Sequence, residues 1–493
     1  MNNGNESSAD MSAASSKGAA KAKTPKASAD TKSPKVTERD KTLETPLYAL
    51  LIGINCYLPN KLPDGGSYRS LKGCVRDINL IEGFLRGELN VPSEHILKLT
   101  STASQQDSSK PTESGDQLPT RQNIVNSLHQ LGRMAPSGSL VYIHYSGHGG
   151  RAKTLFPQVK GEDGVDEGLV PTDIGTPHGQ YVRDLEIAEI LQNFESKGLV
   201  VTLVLDCCHS GGATRGEEVG IRGIESIDDK PLLPGQELIA PLETLASTWK
   251  SLSPEGTRSL KAGGVPAPQG CVVLAACRQN ESAYEYTFNR QNKDKNGALT
   301  YWLVDTLRQQ IPGQNYKDLY NRIHARVHSQ FRQQTPILIG AESRTVFGNE
   351  LAEGLHTATV LQIKKDQDTG EPKIEISVGQ AYGISRGAEF AIYPGGTRSL
   401  TKANQVAIAR LSEREATESW CTLTPIEGKE TVEPGDLAVL TSPQIDLVRQ
   451  VVLIQEGAIA AEALDRLKGA FANNGWVELA DEIPDEDDGD EIA

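Results

Sequence analysis

The sequence predicts an α/β fold, a helix–sheet–helix sandwich around a mostly parallel sheet, followed by a small all-β domain. Three observations predict it. Short apolar runs recur at YALLIGI (48–54), HILKLT (95–100), SLVYIHYSG (139–147) and LVVTLVLD (199–206), and such continuous runs mark strands buried on both faces. Segments with helical spacing lie between them, the alternation that βαβ crossovers leave in a sequence. Beyond residue 357 the pattern changes to KIEISV and VAIAR segments between Gly- and Pro-rich turns, the signature of an antiparallel β domain.

Each element follows from its residues. Residues 1–44 are Ser, Ala, Lys and Thr with almost nothing large and apolar, so they are expected to be disordered. After the first strand, 71–89 places Val75, Ile78, Ile81 and Leu85 on one helix face. TRQNIVNSLHQLG (120–132) reads as a helix with Thr120 as its N-cap and Gly132 at its end. Residues 184–194 form the next predicted helix. The stretch 216–270 is rich in Gly, Pro, Ser, Glu and Lys, with one short helix-like piece at 241–251. So long a structureless loop inside a domain is either functional or a linker. Regular structure resumes with CVVLAAC (271–277), helices over 298–310 and 316–330, and the strand PILIG (336–340). The β domain spans 357–442 and a helix is expected over 445–472. The end, 478–493, holds nine acidic residues and no basic one, as a solvated extension would.

Composition sets bounds. A chain of 493 residues can form two or three full cores. A net charge of -15 argues against general nucleic-acid binding. Seven cysteines, an odd number, do not suggest a disulfide framework and fit thiols in a reducing compartment. No apolar run approaches the ~20 residues that span a bilayer, and the first residues lack the apolar core of a secretory signal. A soluble cytoplasmic protein is expected, with no membrane partner.

In an open parallel sheet, sites form beyond the carboxyl ends of the strands. Two strands here end in reactive residues. SLVYIHYSGHGG delivers His148 into a glycine-flanked loop, and LVVTLVLDCCHSGG delivers Cys208 into another. If the two strands are neighbours, thiol and imidazole meet, and the imidazole can generate the nucleophilic thiolate at neutral pH. Gly147, Gly149 and Gly150 let a ligand approach the backbone. The N–H groups of Gly149 and Cys208 are the obvious donors to a developing oxyanion. Other readings stand beside this one. A single cysteine is usually a small buried hydrophobe, and a single histidine is usually just hydrogen-bonded. Cys207, Cys208 and His209 are consecutive, so their side chains diverge from any shared tetrahedral metal. A redox pair usually has two residues between its cysteines.

The segments YALLIGINCY, LKGCVRDINLIEGFL, YIHYSGHGG, GVDEGLVPTDI, LVLDCCHSGG, LAACRQNESAYE and NGALTYWLVDTL occur in this order over about 48–347. Together they resemble the caspase-like cysteine peptidases, and within them the metacaspase and bacterial orthocaspase group. The resemblance implies a dyad of His148 and Cys208, a large-subunit-like region at 48–215, a linker at 216–269 and a small-subunit-like region at 270–348. It implies cleavage of protein or peptide substrates after Arg or Lys, with Asp77 and Asp206 as pocket acids. A buried carboxylate pair does favour a guanidinium, which binds carboxylates in fork geometry. Taken alone, Asp77 would be a surface helix carboxylate and Asp206 a turn cap.

Members of the group often cut themselves between the two regions. Arg215 and Arg222 are candidate self-cleavage points, and Lys230, Lys250, Arg258 and Lys261 are further basic residues there. A flexible surface loop with incidental charge is the other reading of the linker. Many metacaspases also need Ca²⁺, held by carboxylates. Glu162, Asp163, Asp166, Glu167, Asp173 and Asp184 are the acids on offer, but Arg183 and Arg215 intrude. Ca²⁺ wants six to eight oxygen ligands, so no dedicated calcium site, and no other cofactor, is expected. Two rival functions remain: a catalytically weak caspase-like regulatory or interaction module, and a sister peptidase with another specificity.

Overall fold

In the computed structural model the described residues are 43 and 45–479, apart from 210–218, 234–235, 254–264, 290–293, 310–313, 353–356, 367–368, 380–383, 385, 398–399, 443–448, 452–465, 467 and 469–476. Most of the expected N-terminal tail, the acidic residues beyond 479, Arg215, Arg258 and Lys261 therefore lie outside them.

The first half alternates as its apolar runs require. Leu47–Ile54 (β1) is followed by Cys74–Gly87 (α1), Ile96–Ser101 (β2), Arg121–Met134 (α2) and Leu140–Ser146 (β3). Thr120 caps α2, accepting the Asn123 N–H at 3.2 Å. Gly149–Lys153 (β4), Pro157–Lys160 (α3), Val165–Leu169 (β5) and Val182–Arg183 (β6) lead to Asp184–Ser196 (α4) and Val200–Asp206 (β7). Then come Gly220–Ile221 (β8), Gly223–Asp228 (β9), Leu242–Leu252 (α5), Val272–Ala275 (β10), Tyr284–Asn289 (β11), Asp294–Gly297 (β12), Ala298–Arg308 (α6), Tyr316–Gln330 (α7) and Ile337–Gly340 (β13).

The central sheet runs β13-β10-β7-β3-β1-β2, parallel except for its edge strand β13, which pairs antiparallel with β10. Successive strand residues face opposite sides, and two cores result. Leu50, Ile52, Val201 and Leu203 pack with Ile124 and Leu131 of α2 and Leu185 and Leu191 of α4. Ala49, Leu51, Tyr142 and Val204 pack with Ile78 and Ile81 of α1, Leu299 and Leu303 of α6 and Ile323 of α7. This is the caspase-like sandwich.

Strands β3 and β7 are neighbours, with Ser146 opposite Asp206. The chain therefore leaves both strands at one level. His148 and Cys208, each two residues further on, emerge side by side at the carboxyl edge of the sheet.

The described part of 216–270 differs from a structureless loop. Strand β9 joins a four-stranded sheet, β6-β5-β4-β9, and β8 joins β12-β11-β8. Leu245 and Trp249 of α5, together with Val265, belong to the α2/α4 core. A few apolar anchors suffice to hold a segment whose composition otherwise reads as loop.

The all-β part, Ala358–Lys365 (β14), Pro372–Ile376 (β15), Glu389–Tyr393 (β16), Ala407–Arg414 (β17), Ser419–Pro425 (β18) and Leu437–Ser442 (β19), closes as a barrel in the order β14-β15-β18-β17-β16-β19. Val360, Ile374, Phe390, Ile392, Leu411 and Cys421 fill it. It rests on α7 and the turn after it: Arg326 of α7 pairs with Glu433 at 2.9 Å, and Arg332 just beyond donates to Gln362 at 2.6 Å. Of the helix expected over 445–472, only 449–451, 466 and 468 are among the described residues, and 466 and 468 are helical. Arg449–Val451 (β20) is instead a strand, paired parallel with Val477–Leu479 (β21); periodicity alone does not separate so short a segment from a helix face. Among the described residues no helix is long and apolar enough to cross a membrane.

Candidate active site

His148 is held from every side. Its N–H donates to the Tyr57 hydroxyl and its carbonyl accepts from the Tyr145 hydroxyl, both at 2.7 Å. The rings of Tyr57 and Tyr68 lie 4.9 and 5.5 Å from the imidazole. Nε2 is 2.7 Å from the Arg69 carbonyl oxygen, which can only accept. Nε2 therefore carries the proton, and Nδ1, buried and without a hydrogen-bond partner, is the free base. Burial lowers this imidazole to about 4 against the pull of the Arg69 carbonyl, so the ring is neutral at pH 7.

Cys208 is buried, and its backbone N–H donates to the Arg222 carbonyl at 3.1 Å. The Gly149 N–H donates to the same oxygen at 3.0 Å. Cys207 packs in the opposite core, and burial pushes its thiol well up. His209 places Nδ1 3.3 Å from the Gly150 carbonyl. His144 is a core residue spanning the Tyr142 hydroxyl (2.9 Å) and the Thr300 hydroxyl (3.0 Å).

The Arg222 side chain is fully buried. Its Nη2 lies 2.7 Å from Asp77 and its Nη1 3.2 Å from Asp206, both carboxylates being wholly shielded from solvent. Glu285 is a third acid, 3.6 Å from Nη2. The carboxylates are themselves fixed. Asp77 accepts from Ser146 (2.8 Å) and Asn296 (2.8 Å), Asp206 from the Thr300 N–H and hydroxyl (2.9 and 2.6 Å), and Glu285 from the Gly73 N–H (2.8 Å). Against the cost of burial, Asp206, Asp77 and Glu285 hold Arg222 charged. Burial raises Asp77 to about 6 even with Arg222 beside it. The pocket exists because residue 297 is glycine: a Cβ there would collide with Arg222 Nη1 and Asp206 Oδ2.

The backbone on the acyl side of Arg222 is bound as an added strand. Ile221 pairs with Tyr284 and Gly220 with Glu285, antiparallel, and the Arg222 N–H donates to the Ala283 carbonyl at 3.0 Å. An arginine side chain thus sits among three acids, its carbonyl on two convergent N–H donors, beside a cysteine and a neutral histidine.

Residues 48–215 match the metacaspase, peptidase C14 domain. Metacaspase-1 of Eremothecium gossypii is 27% identical over 58% of this chain and 62% of its own length. Metacaspase-1B of Neosartorya fischeri is 26% identical over 58% of this chain and 67% of its own length. The chain therefore spans about two thirds of the curated relatives it matches. Among solved structures, caspase-1 from Spodoptera frugiperda matches over 63% of this chain and 94% of its own, at 11% identity and a TM-score of 0.33.

Two of the six acids named for calcium, Asp166 and Asp184, are paired with side-chain cations. Lys160 Nζ lies 3.0 Å from Asp166 and 2.6 Å from Asp184, and Arg183 lies 2.7 Å from Asp166. Trp249 of α5 covers the same ammonium, 4.4 Å from ring centroid to Nζ. Asp173 instead accepts the Arg121 N–H at 3.0 Å, so it is not drawn into the cluster. Asp166 and Asp184 therefore do not fit a divalent cation, since the Lys160 ammonium already sits between them.

Sequence reasoning missed Glu285, Arg69 and the tyrosine cage. Glu285 lies in LAACRQNESAYE, where period-2 spacing from Ala283 was its one signal. Arg69 acts through a carbonyl, which any residue supplies, so its side chain carried no signal at all.

Proposed function

We infer that the protein is a cysteine endopeptidase that cuts after Arg or Lys, and that the structure is its own uncut precursor. The observation that carries this reading is Arg222: guanidinium between Asp77 and Asp206, carbonyl on the N–H groups of Gly149 and Cys208. Arg222–Gly223 is then the scissile bond, and Arg222 rather than Arg215 the self-cleavage residue. His148 Nδ1 takes the thiol proton and Cys208 Sγ attacks the Arg222 carbonyl carbon. Negative charge collects on the carbonyl oxygen between the two N–H donors. The tetrahedral species collapses as His148 returns the proton to the Gly223 nitrogen, which leaves as an amine. Water, deprotonated by His148, then releases Arg222 as a carboxylate from the thioester and regenerates the thiol. The Arg69 carbonyl keeps the imidazole in the required tautomer throughout.

Substrates are protein or peptide segments with Arg or Lys before the cut, since Lys carries the same charge into the acid-lined pocket. Fluorogenic peptides ending in Arg, Lys, Asp and Asn test the reading, with Cys208→Ala as the background. Turnover of the Arg and Lys peptides alone is expected. Turnover of only the Asp or Asn peptides would overturn the specificity, and no turnover of any would leave a regulatory module. No metal enters this reading. Activity in millimolar Ca²⁺ should stay within roughly twofold of that in chelator, because Lys160 and Arg183 already neutralise Asp166 and Asp184; a larger gain would place a calcium site elsewhere.

A further inference from the structure

Downstream of Arg222 the chain stays on the surface of the domain. Strand β9 runs parallel to β4, with Gly149 opposite Gly223, Arg151 opposite Ile227 and Ala152 opposite Asp228. The other edge of β4 is taken by β5, so without β9 this edge would present unpaired backbone groups ready for a strand. Side chains grip the arm as well. The Arg151 guanidinium donates to the Glu225 carbonyl. The Tyr181 hydroxyl donates to the Asp228 carboxylate at 3.2 Å, and the Tyr68 hydroxyl lies 3.2 Å from that of Tyr181. Burial raises both phenols well above their ordinary range, so Tyr181 remains a donor. At the start of the arm there is no room for a side chain. A Cβ on Gly223 would collide with the Cys208 carbonyl oxygen and lie 2.8 Å from its Sγ.

We propose that the edge of β4 covered by β9 is a docking site for the part of a substrate that follows the cut. The bound segment runs parallel to β4, begins with glycine and carries a carboxylate at the place of Asp228. This rests on the function proposed above and gives a preference, among its substrates, to extended chains with a cut before glycine. The chain's own β9 and an incoming substrate use the same edge, so they exclude one another. Backbone pairing gives the affinity in such strand addition, and side-chain pockets give the specificity.

The test uses the wild-type protein after self-processing and internally quenched peptides. One copies residues 220–228, a second carries the Gly223→Val change, and a third stops after the position of Ile224. A fourth probe has residues 220–222 joined to aminomethylcoumarin, with no peptide beyond the cut. The full peptide should exceed the shortened one in kcat/KM by about tenfold, and the valine peptide should fall about 100-fold below the full one. Turnover of the coumarin with equal kcat/KM for all three peptides overturns the docking site alone. Failure to turn over any of the four overturns the proposed function, and this inference with it.

Discussion

Arg222→Gln should leave the chain uncut and also cost it about 3 kcal/mol of stability, at the lower end for breaking a buried ion pair. The two losses have one cause. Arg222 is the counter-charge to Asp77, Asp206 and Glu285 and, in the proposed function, also the residue before the scissile bond. Glutamine keeps much of the shape but leaves three shielded carboxylates with no cation. The lower end applies because Asp77, already raised to about 6 by burial, can protonate. The sign in pH follows. Removing the guanidinium raises the folded-state pKa of Asp77 further, so the penalty is full above that value and relieved as pH falls through it. Arg222→Lys should still be cut, about tenfold more slowly, since an ammonium meets the acids without the fork geometry. Wild type should yield fragments 1–222 and 223–493, read by mass spectrometry. Urea unfolding of both variants in a Cys208→Ala background gives the stability. Undiminished cutting of Arg222→Gln at another basic residue would sink the assignment.

Much of the fold was legible because buried parallel strands announce themselves as apolar runs, and β1, β3 and β7 all do. The closure of the barrel was not, because alternation gives strand faces but not the pairing of β14 with β19, more than seventy residues apart. At the site, local sequence placed His148 and Cys208 at strand ends, and the register of β3 against β7 then brings those ends together. Arg222 was visible only as a basic residue in a loop-like stretch. Its meaning depends on Asp77 from α1, Asp206 from β7 and Glu285 from β11 converging on it, three elements that no local window contains.

Self-cleavage of the precursor should hold its rate down to about pH 5 and fall through about pH 4, whereas cleavage of added peptides should fall nearer pH 6. In the proposed mechanism the base is His148, and it works only when neutral. In the precursor, burial and then the Arg222 guanidinium depress it to about 4, against the Arg69 carbonyl. The imidazole is therefore protonated, and the reaction lost, only below that value. After the cut, departure of Arg222 admits water and removes the neighbouring cation. Both changes raise the pKa toward its ordinary value, so the acid limb for added peptides moves up. His148→Ala should slow both reactions by about 10³–10⁴, the loss expected for a general base that also donates to the leaving amine. Single-turnover self-cleavage followed on gels and steady-state hydrolysis of an arginine peptide give the two profiles. Coincident acid limbs would mean that Arg222 does not leave the pocket when its bond is cut, and that the processed protein remains closed by its own product.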